Sequence, residues 1–275
     1  STEQSVYSCG MPLPIEQAGL LVPCYMGESI SRPINYGTLL YDFADLQEQP
    51  KTININEREL GGYVWYFTAF GKLDTKYWLV GYVAPDYDPR SNSEVQLFAC
   101  QYNSKNRRAE VIKKWPHSFL EIESEPLIIV KPNNALVIVQ REREILAGAT
   151  LLNKSQPYFL VSFINQNIEM EWETKVQFNE KSVNPIHLTS TADGGYLIVG
   201  NCNVTYQGID RSFITKLAPD GKIIFSKLLD EASDLSVTSC LEKSNGDIVL
   251  MGNTTQFSQM RMTALLVLDG NGNLQ

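Results

Sequence analysis

The sequence has little histidine, no paired cysteine motif and no long apolar run. Its 275 residues include only two histidines, and none of its five cysteines forms a Cys-x-x-Cys pair. A zinc site of cysteine and histidine ligands is therefore not expected, and a Ser-His-Asp triad would depend on His117 or His187. No apolar stretch approaches the roughly 20 residues that cross a bilayer. We expect no membrane span.

Basic residues are also few. Lysine and arginine total 23 against 31 aspartate and glutamate residues, which gives a formal net charge of -8. A chain of this charge repels phosphate backbones and anionic lipid, so we expect no nucleic-acid partner. The sequence has no P-loop, no dinucleotide-binding glycine fingerprint and no G-x-S-x-G motif. We therefore expect no cofactor.

A repeated pattern is the main positive signal. Residues 193–201 read DGGYLIVGN, and residues 245–253 read NGDIVLMGN. Related apolar runs occur at 18–23, 77–82 and 134–139. Equivalent positions in the five copies are separated by 52 to 60 residues, and they are Val22, Val80, Val139, Val199 and Met251.

Each copy predicts four short antiparallel strands, A to D. A polar loop and a second apolar run follow the first run, and then comes a turn rich in Asn, Asp or Gly. The next strand carries an aromatic residue, which is Trp115, Trp172 or Phe225 in the three clearest copies. The apolar runs are continuous rather than alternating, which indicates strands covered on both faces.

Four-stranded sheets that repeat at this period are typical of β-propeller blades. We predict an all-β, five-bladed β-propeller forming one domain over residues 1–275. The N-terminal strand, residues 1–8, is expected to close the last blade. The alternative is that the natural chain continues beyond Gln275 as a larger propeller. The predicted units are 9–58, 59–116, 117–175, 176–231, and 232–275 together with 1–8.

Residues 193–200 followed by 213–225 resemble a bacterial propeller repeat of the type DGGYxxxG…KxDxxGxxxW, which is common in secreted and cell-envelope proteins. The sequence departs from it at Phe225, where Trp is usual, and at Gln140, where Gly is usual. The resemblance implies a periplasmic, outer-envelope or extracellular location, with a signal peptide already removed. It implies no particular activity, because such repeats specify a fold.

The predicted inner strands contain no acid, which argues against a carboxylate-based enzyme. These strands are residues 63–69, 126–131, 186–191 and 235–241. We therefore expect a non-catalytic binding platform that engages a protein partner or a glycan within an envelope or secretion assembly. One alternative is a glycan-active hydrolase with carboxylates at the propeller entrance, and another is a lectin with one site per blade. Acids that flank the inner strands are Glu57, Glu59, Glu121, Glu123, Glu125 and Asp234.

The loops between strands B and C are long and dissimilar, which favours them as the binding face. They span residues 83–94, 141–157, 202–211 and 254–262. Tyr and Arg in these loops are the types enriched at interface hot spots. The predicted partner-binding residues are Tyr87, Arg90, Arg141, Arg143, Tyr206, Arg211 and Arg261.

Two of the five cysteines are predicted to face each other. Moving the strand pairing around Asp193-Gly194 to the first unit, where Val22 stands for Val199, places Cys9 opposite Cys24. A pair at that spacing on adjacent strands is a disulfide candidate in an oxidising compartment.

No metal site is expected. Asp269-Gly270-Asn271-Gly272-Asn273 begins like a calcium loop but lacks its later ligands, so it is interpreted as a hairpin turn. Asp86, Asp88 and Asn92 are interpreted as part of a polar surface loop. His187 is expected to be a hydrogen-bonded packing residue.

Overall fold

The computed structural model consists of two compact units, Ser1–Pro126 and Leu127–Gln275. All regular structure among its described residues is β-strand, and no helix there is long and apolar enough to span a membrane. Side chains are described for residues 77–81, 83, 96–101, 103 and 113–115 and, after residue 125, for every described residue except 141–143. The described residues are 5–9, 13–15, 19–27, 38–42, 51–54, 63–73, 76–84, 96–103, 108–116, 126–131, 133, 135–143, 157–180, 182–202, 211–229, 235–254 and 262–275.

The first unit contains two antiparallel sheets. Sheet 1 comprises β1 (Ser5–Cys9), β2 (Leu13–Ile15), β3 (Gly19–Gly27), β4 (Thr38–Asp42) and β5 (Lys51–Asn54). Its order is β1-β3-β4-β5, and β2 also pairs with β3. Sheet 2 comprises β6 (Tyr63–Leu73), β7 (Lys76–Ala84), β8 (Gln96–Asn103) and β9 (Arg108–Pro116), hydrogen-bonded in that order.

The second unit contains three antiparallel sheets whose strands pair in chain order. Sheet 3 comprises β10 (Leu127–Val130), β11 (Leu136–Arg143), β12 (Pro157–Ile164) and β13 (Met170–Gln177). Sheet 4 comprises β14 (Val183–Ser190), β15 (Tyr196–Cys202), β16 (Arg211–Leu217) and β17 (Ile223–Leu228). Sheet 5 comprises β18 (Leu235–Glu242), β19 (Ile248–Thr254) and β20 (Met262–Leu268).

These sheets confirm the predicted all-β chain of successive antiparallel units, and sheets 2, 3 and 4 have the predicted four strands. The N-terminal strand differs from the prediction. Instead of closing the last blade, Ser5–Cys9 pairs with β3, and residues 1–4 lie outside the described part. Sheet 5 has three strands in the described residues, followed by one bridge from Leu268 to Leu274. The difference has a simple physical origin, because β1 pairs with a strand close to it in the chain, as consecutive strands commonly do.

The predicted register of the first two cysteines is present in the backbone. Cys9 and Cys24 are directly paired residues of β1 and β3. Their side chains lie outside the described part, so the disulfide stays a prediction.

The central strands of sheets 3 and 4 are mostly buried on both faces, as their continuous apolar runs predict. Sheet 5 differs from this prediction, because Met251 and Leu265 on one of its faces are exposed. All seven residues of β15 are buried. One apolar cluster joins sheets 3 and 4 around Phe159, Tyr196 and Phe213, and another joins sheets 4 and 5 around Val199 and Leu250. The sheets of this unit are therefore held together mainly by burial of apolar side chains.

The structure explains why the repeat motif has a glycine in the turn between strands C and D. Gly221 and Gly272 each have a positive φ, 81° and 76°. A side chain on either glycine would collide with an aromatic ring of the preceding sheet, Trp172 against Gly221 and Phe225 against Gly272. The turn glycine and the outer-strand aromatic therefore form one contact between successive sheets.

Candidate functional site

Each sheet of the second unit has a turn end and a loop end. In sheet 4 the loop end is marked by Val183, Cys202 and Arg211, which are paired across β14, β15 and β16. First strands begin at this end, and the connections between second and third strands leave from it. The turn end carries the short A–B and C–D turns, such as residues 191–195 and 218–222. Of the predicted partner-binding residues, Arg211 lies at this end of sheet 4.

The structure describes only part of that predicted set. Arg141 and Arg143 are not in a loop, because β11 continues to Arg143 and pairs them with Phe159 and Pro157. Polar residues extend this strand because ladder pairing requires only the backbone. Arg211 is the first residue of β16. The remaining predicted residues lie outside the described part, and they are Tyr87, Arg90, Tyr206 and Arg261.

Arg211 forms an ion pair at the loop end. Its Nη1 donates to Glu180 Oε1 at 3.1 Å, with side-chain exposures of 45% and 12%. Glu180 belongs to the connection between sheets 3 and 4, so the pair joins that connection to the start of β16. Burial, followed by the charge of Glu180, raises the pKa of the neighbouring Cys202 thiol to about 12. A protonated thiol of this kind is not a nucleophile.

The Asn201 side chain holds the first strand of sheet 5 at the same end. Its Oδ1 accepts from the Val237 backbone N–H at 3.1 Å, and its Nδ2 donates to Val237 O at 3.3 Å. The Ser212 hydroxyl lies 2.8 Å from Asn201 Oδ1 and also contacts Leu235 O. These contacts satisfy the backbone beside the bulge that follows Val237.

His187 and Cys240 lie together on the first strands of sheets 4 and 5. The Cys240 backbone N–H donates to His187 Nδ1 at 3.2 Å, and Cys240 Sγ lies 3.6 Å from the same nitrogen. Burial lowers the pKa of His187 and raises the pKa of Cys240 to about 12. A neutral imidazole beside a protonated thiol lacks the charge separation of a catalytic Cys–His pair. This geometry agrees with the packing role predicted for His187.

A buried ion pair lies at the turn end between sheets 4 and 5. Lys216 Nζ donates to Glu242 Oε1 at 2.7 Å, with side-chain exposures of 10% and 5%. Glu242 Oε2 accepts from the Ala192 backbone N–H at 2.8 Å. Asp193 lies 3.7 Å from Lys216, and a hydrogen bond from the Thr191 hydroxyl is the main cause that lowers its pKa. These carboxylates are engaged in structure, so they are poor candidates for acid–base chemistry.

The predicted calcium-like segment is a hairpin turn. Asp269 Oδ1 accepts from the backbone N–H groups of Asn271 and Asn273 at 2.9 and 2.8 Å. Within the described ranges no group of three His, Cys, Asp or Glu residues is arranged to hold a metal. Asp86, Asp88 and Asn92 lie outside those ranges.

Among the described residues, Gln140 on β11 and Trp78 on β7 have buried side-chain polar atoms without a hydrogen-bond partner. Gln140 has no solvent exposure, and neither its Oε1 nor its Nε2 has a hydrogen-bond partner. The sequence marks this residue as a departure from the repeat, where glycine is usual. That departure is the signal by which sequence analysis finds the residue, although it does not reveal the burial.

No protein-family model matches the chain, and no curated protein matches its sequence. Several solved structures are similar in fold. The α-L-arabinofuranosidase Arb93A from Fusarium graminearum, solved with an iminosugar inhibitor, has a TM-score of 0.50 and 9% identity, covering 96% of this chain and 93% of that one. A thermostable family-43 glycoside hydrolase has a TM-score of 0.48 and 14% identity, covering 99% and 93%. An α-L-arabinofuranosidase from Lactobacillus brevis has a TM-score of 0.47 and 10% identity, covering 96% and 91%.

The similarity to Arb93A, together with five successive antiparallel sheets, confirms the predicted five-bladed β-propeller fold. The prediction of a non-catalytic binding platform is wrong. Arb93A, which shares this fold, is an arabinofuranosidase by name. The expectation rested on the absence of acids inside the predicted inner strands, although acids flank those strands in the sequence.

Proposed function

We propose that the protein is a glycoside hydrolase that uses paired carboxylates at the loop end of its sheets. The proposal is supported by the fold shared with an arabinofuranosidase and by the direction of the first strands. In sheets 2 to 5 the first strand starts at the loop end, and acids precede three of these strands in the sequence. Glu57 and Glu59 precede β6, Glu125 precedes β10, and Asp234 precedes β18.

The order and direction of the strands support the choice of these acids. Residues that directly precede first strands share the end of the sheet from which the B–C connections leave, as the Glu180–Arg211 ion pair shows for sheet 4. Glycoside hydrolysis needs two carboxyl groups about 5 to 9.5 Å apart, one to donate a proton and one to act as base or nucleophile. We propose that acids preceding first strands in the sequence fill these two roles.

The proposed substrate is an α-L-arabinofuranoside, the class on which Arb93A acts by name. We also propose an exported location, periplasmic or extracellular, which the repeat resemblance supports and where glycan substrates occur. Glycan then takes the place of the protein partner expected from the sequence.

The experiment measures turnover of chromogenic α-L-arabinofuranosides and β-D-xylosides, followed by single acid-to-amide variants. We expect two of the variants to lower kcat by about 100-fold or more while the fold is retained. The variants are Glu57→Gln, Glu59→Gln, Glu121→Gln, Glu123→Gln, Glu125→Gln and Asp234→Asn.

Glu171→Gln is the matched control, because Glu171 is an exposed residue of β13 that accepts from Asn165 near the turn end. It should leave kcat unchanged. Absence of turnover on any arabinoside or xyloside would refute the proposed function. Retained turnover in all six variants would refute the assignment of the acids.

A further inference from the structure

The third strand of sheet 5 has a side that is mostly unpaired. In sheets 3 and 4 the third strands, β12 and β16, are each followed by a complete fourth strand. Sheet 5 only begins one, because Leu274 bridges to Leu268 and the Gln275 backbone N–H donates to Val267 O at 3.0 Å. Within the described part of the chain, no other strand pairs with β20 on this side. The segment 262–266 therefore has a free edge.

The hydrogen bond from Gln275 shows which backbone groups face this edge. Successive residues of an antiparallel strand direct their N–H and C=O alternately to the two sides of the strand. Val267 O faces the outer side, and β20 pairs with β19 without a bulge. Thr263 and Leu265 therefore direct their N–H and C=O to the free edge, whereas Ala264 directs its own to β19. Thr263 and Leu265 each offer a donor and an acceptor to an additional strand.

The free edge lacks the charges that protect the other outer strands of this unit. Strand edges in natural proteins commonly carry charged side chains, which oppose pairing with another chain. The outer strand of sheet 3 carries the exposed residues Glu171, Glu173 and Lys175, and that of sheet 4 carries Lys227. β20 has no charged residue, although the whole chain has a net charge of -8. Two copies of this acidic chain can therefore meet at β20 without bringing like charges together.

We propose that two copies of the protein form a dimer by antiparallel pairing of their β20 strands across a two-fold axis. The residues that exchange hydrogen bonds must be those that face the edge, so Thr263 pairs with Leu265 of the partner subunit. This register places Ala264 opposite Ala264 of the partner subunit, as a non-hydrogen-bonded pair with Cα atoms about 4.5 Å apart. Alanine is small enough for this closest position of the ladder. The contacts of Leu274 and Gln275 with the end of β20 stay intact.

The exposure of the β20 side chains agrees with such pairing. Leu265 is 66% exposed and Met262 is 53% exposed, so pairing does not have to disrupt an existing core around them. A two-fold interface forms every contact twice, which doubles the gain from a short strand. The dimer does not depend on the proposed hydrolase function, because it uses neither the acids nor the loop end.

Ala264→Cys tests the register directly. Two cysteines on the axis, with Cα atoms about 4.5 Å apart, can form a disulfide, so mild oxidation should give a covalent dimer on non-reducing electrophoresis. Thr263→Cys is the matched control, because the two copies of residue 263 are diagonal neighbours about 7 to 8 Å apart and should cross-link poorly. The wild-type protein controls for the native cysteines.

Leu265→Pro tests the hydrogen bonds of the edge. Proline removes an N–H that faces outward, while the pairing of β20 with β19 is retained. Self-association, measured by sedimentation velocity over a range of concentrations, should weaken by about 10-fold or more. Leu265→Lys adds a charge of the kind found on β13, and it should have the same effect if proline disturbs the strand.

Four results would overturn the inference. One is a wild-type protein that stays monomeric at its highest soluble concentration. Another is equal cross-linking through Ala264→Cys and Thr263→Cys, which would refute the register. A dimer that persists in both Leu265 variants would place the contact on another surface. Slow hydrogen exchange at the Thr263 and Leu265 amides of the monomer would show that the same chain already covers the edge.

Discussion

Trp172 on the outer strand of sheet 3 packs against Gly221 in the C–D turn of sheet 4. A Cβ on Gly221 would lie 2.5 Å from the Trp172 ring, and Gly221 O accepts from the Thr174 hydroxyl at 2.7 Å. The ring also stacks on Phe163, with ring centroids 5.6 Å apart. One glycine therefore carries both an apolar and a polar contact between the two sheets.

Gly221→Ala should lower the free energy of unfolding by about 2 to 4 kcal/mol, because the added methyl group meets a ring that is itself packed and the residue has a positive φ. Urea denaturation measures the change. Gly246→Ala is the matched control: its φ is 87°, but a Cβ there meets nothing within 4 Å. It should cost about 1 kcal/mol, and equal effects at both sites would contradict the packing explanation.

Ile168 occupies in sheet 3 the turn position that Gly221 and Gly272 occupy in sheets 4 and 5. It has a φ of 65°, which is unfavourable for a β-branched residue. Ile168→Gly should therefore raise the free energy of unfolding by about 1 kcal/mol, as measured by urea denaturation. Ile223→Gly, within a strand, should destabilise the protein. Destabilisation by Ile168→Gly would mean that its side-chain contacts outweigh the backbone strain.

Removing one partner of the Lys216–Glu242 pair should destabilise the protein more than replacing both partners by apolar residues. Lys216→Met leaves a buried carboxylate without its cation and should lower the free energy of unfolding by about 3 to 5 kcal/mol. Adding Glu242→Leu removes that charge and should recover at least half of the loss. Thermal and urea denaturation of the single and double variants form the test. Additive losses would show that the two charges are not coupled.

The five cysteines should fall into two classes in a thiol-alkylation experiment, buried free thiols and a bonded pair. Cys100, Cys202 and Cys240 are buried, and burial raises the pKa of each thiol, so none should react with iodoacetamide in the native protein at neutral pH. If Cys9 and Cys24 are bonded, unfolding without reductant should expose three thiols, and unfolding with reductant five. Mass spectrometry counts the labels. Five labels without reductant would refute the disulfide.

Local features of the fold follow from the sequence, whereas contacts between sheets do not. The turn at Asp193-Gly194 predicts the pairing of β14 with β15 only to within one residue, because it places Leu188 opposite Val199, whereas His187 is the residue paired there. Cys9 and Cys24 are paired as predicted. The Lys216–Glu242 pair joins residues of different sheets, and no local pattern indicates it. The end of β11 is misplaced because the apolar run stops before Arg141, whereas the backbone ladder continues to Arg143.

The candidate site is less predictable than the fold. The sequence identifies Gln140 as an exception to the repeat, but its missing partners become visible only when its neighbours are placed. The proposed hydrolase function is not visible in the sequence either, because acids next to a strand are indistinguishable in sequence from ordinary solvated charges. The proposal that these acids are catalytic depends on the fold, which is recognised only from the arrangement of the sheets.

The Asn201 side chain forms hydrogen bonds with the backbone of Val237 and not with its side chain. Hydrogen bonds to the backbone do not depend on which side chain the bonded residue carries, provided that its N–H and C=O keep the same positions. The first strand of a blade is thereby free to diverge in sequence while its docking stays constant. Backbone contacts of this kind therefore allow successive units to share a fold while they have few residues in common.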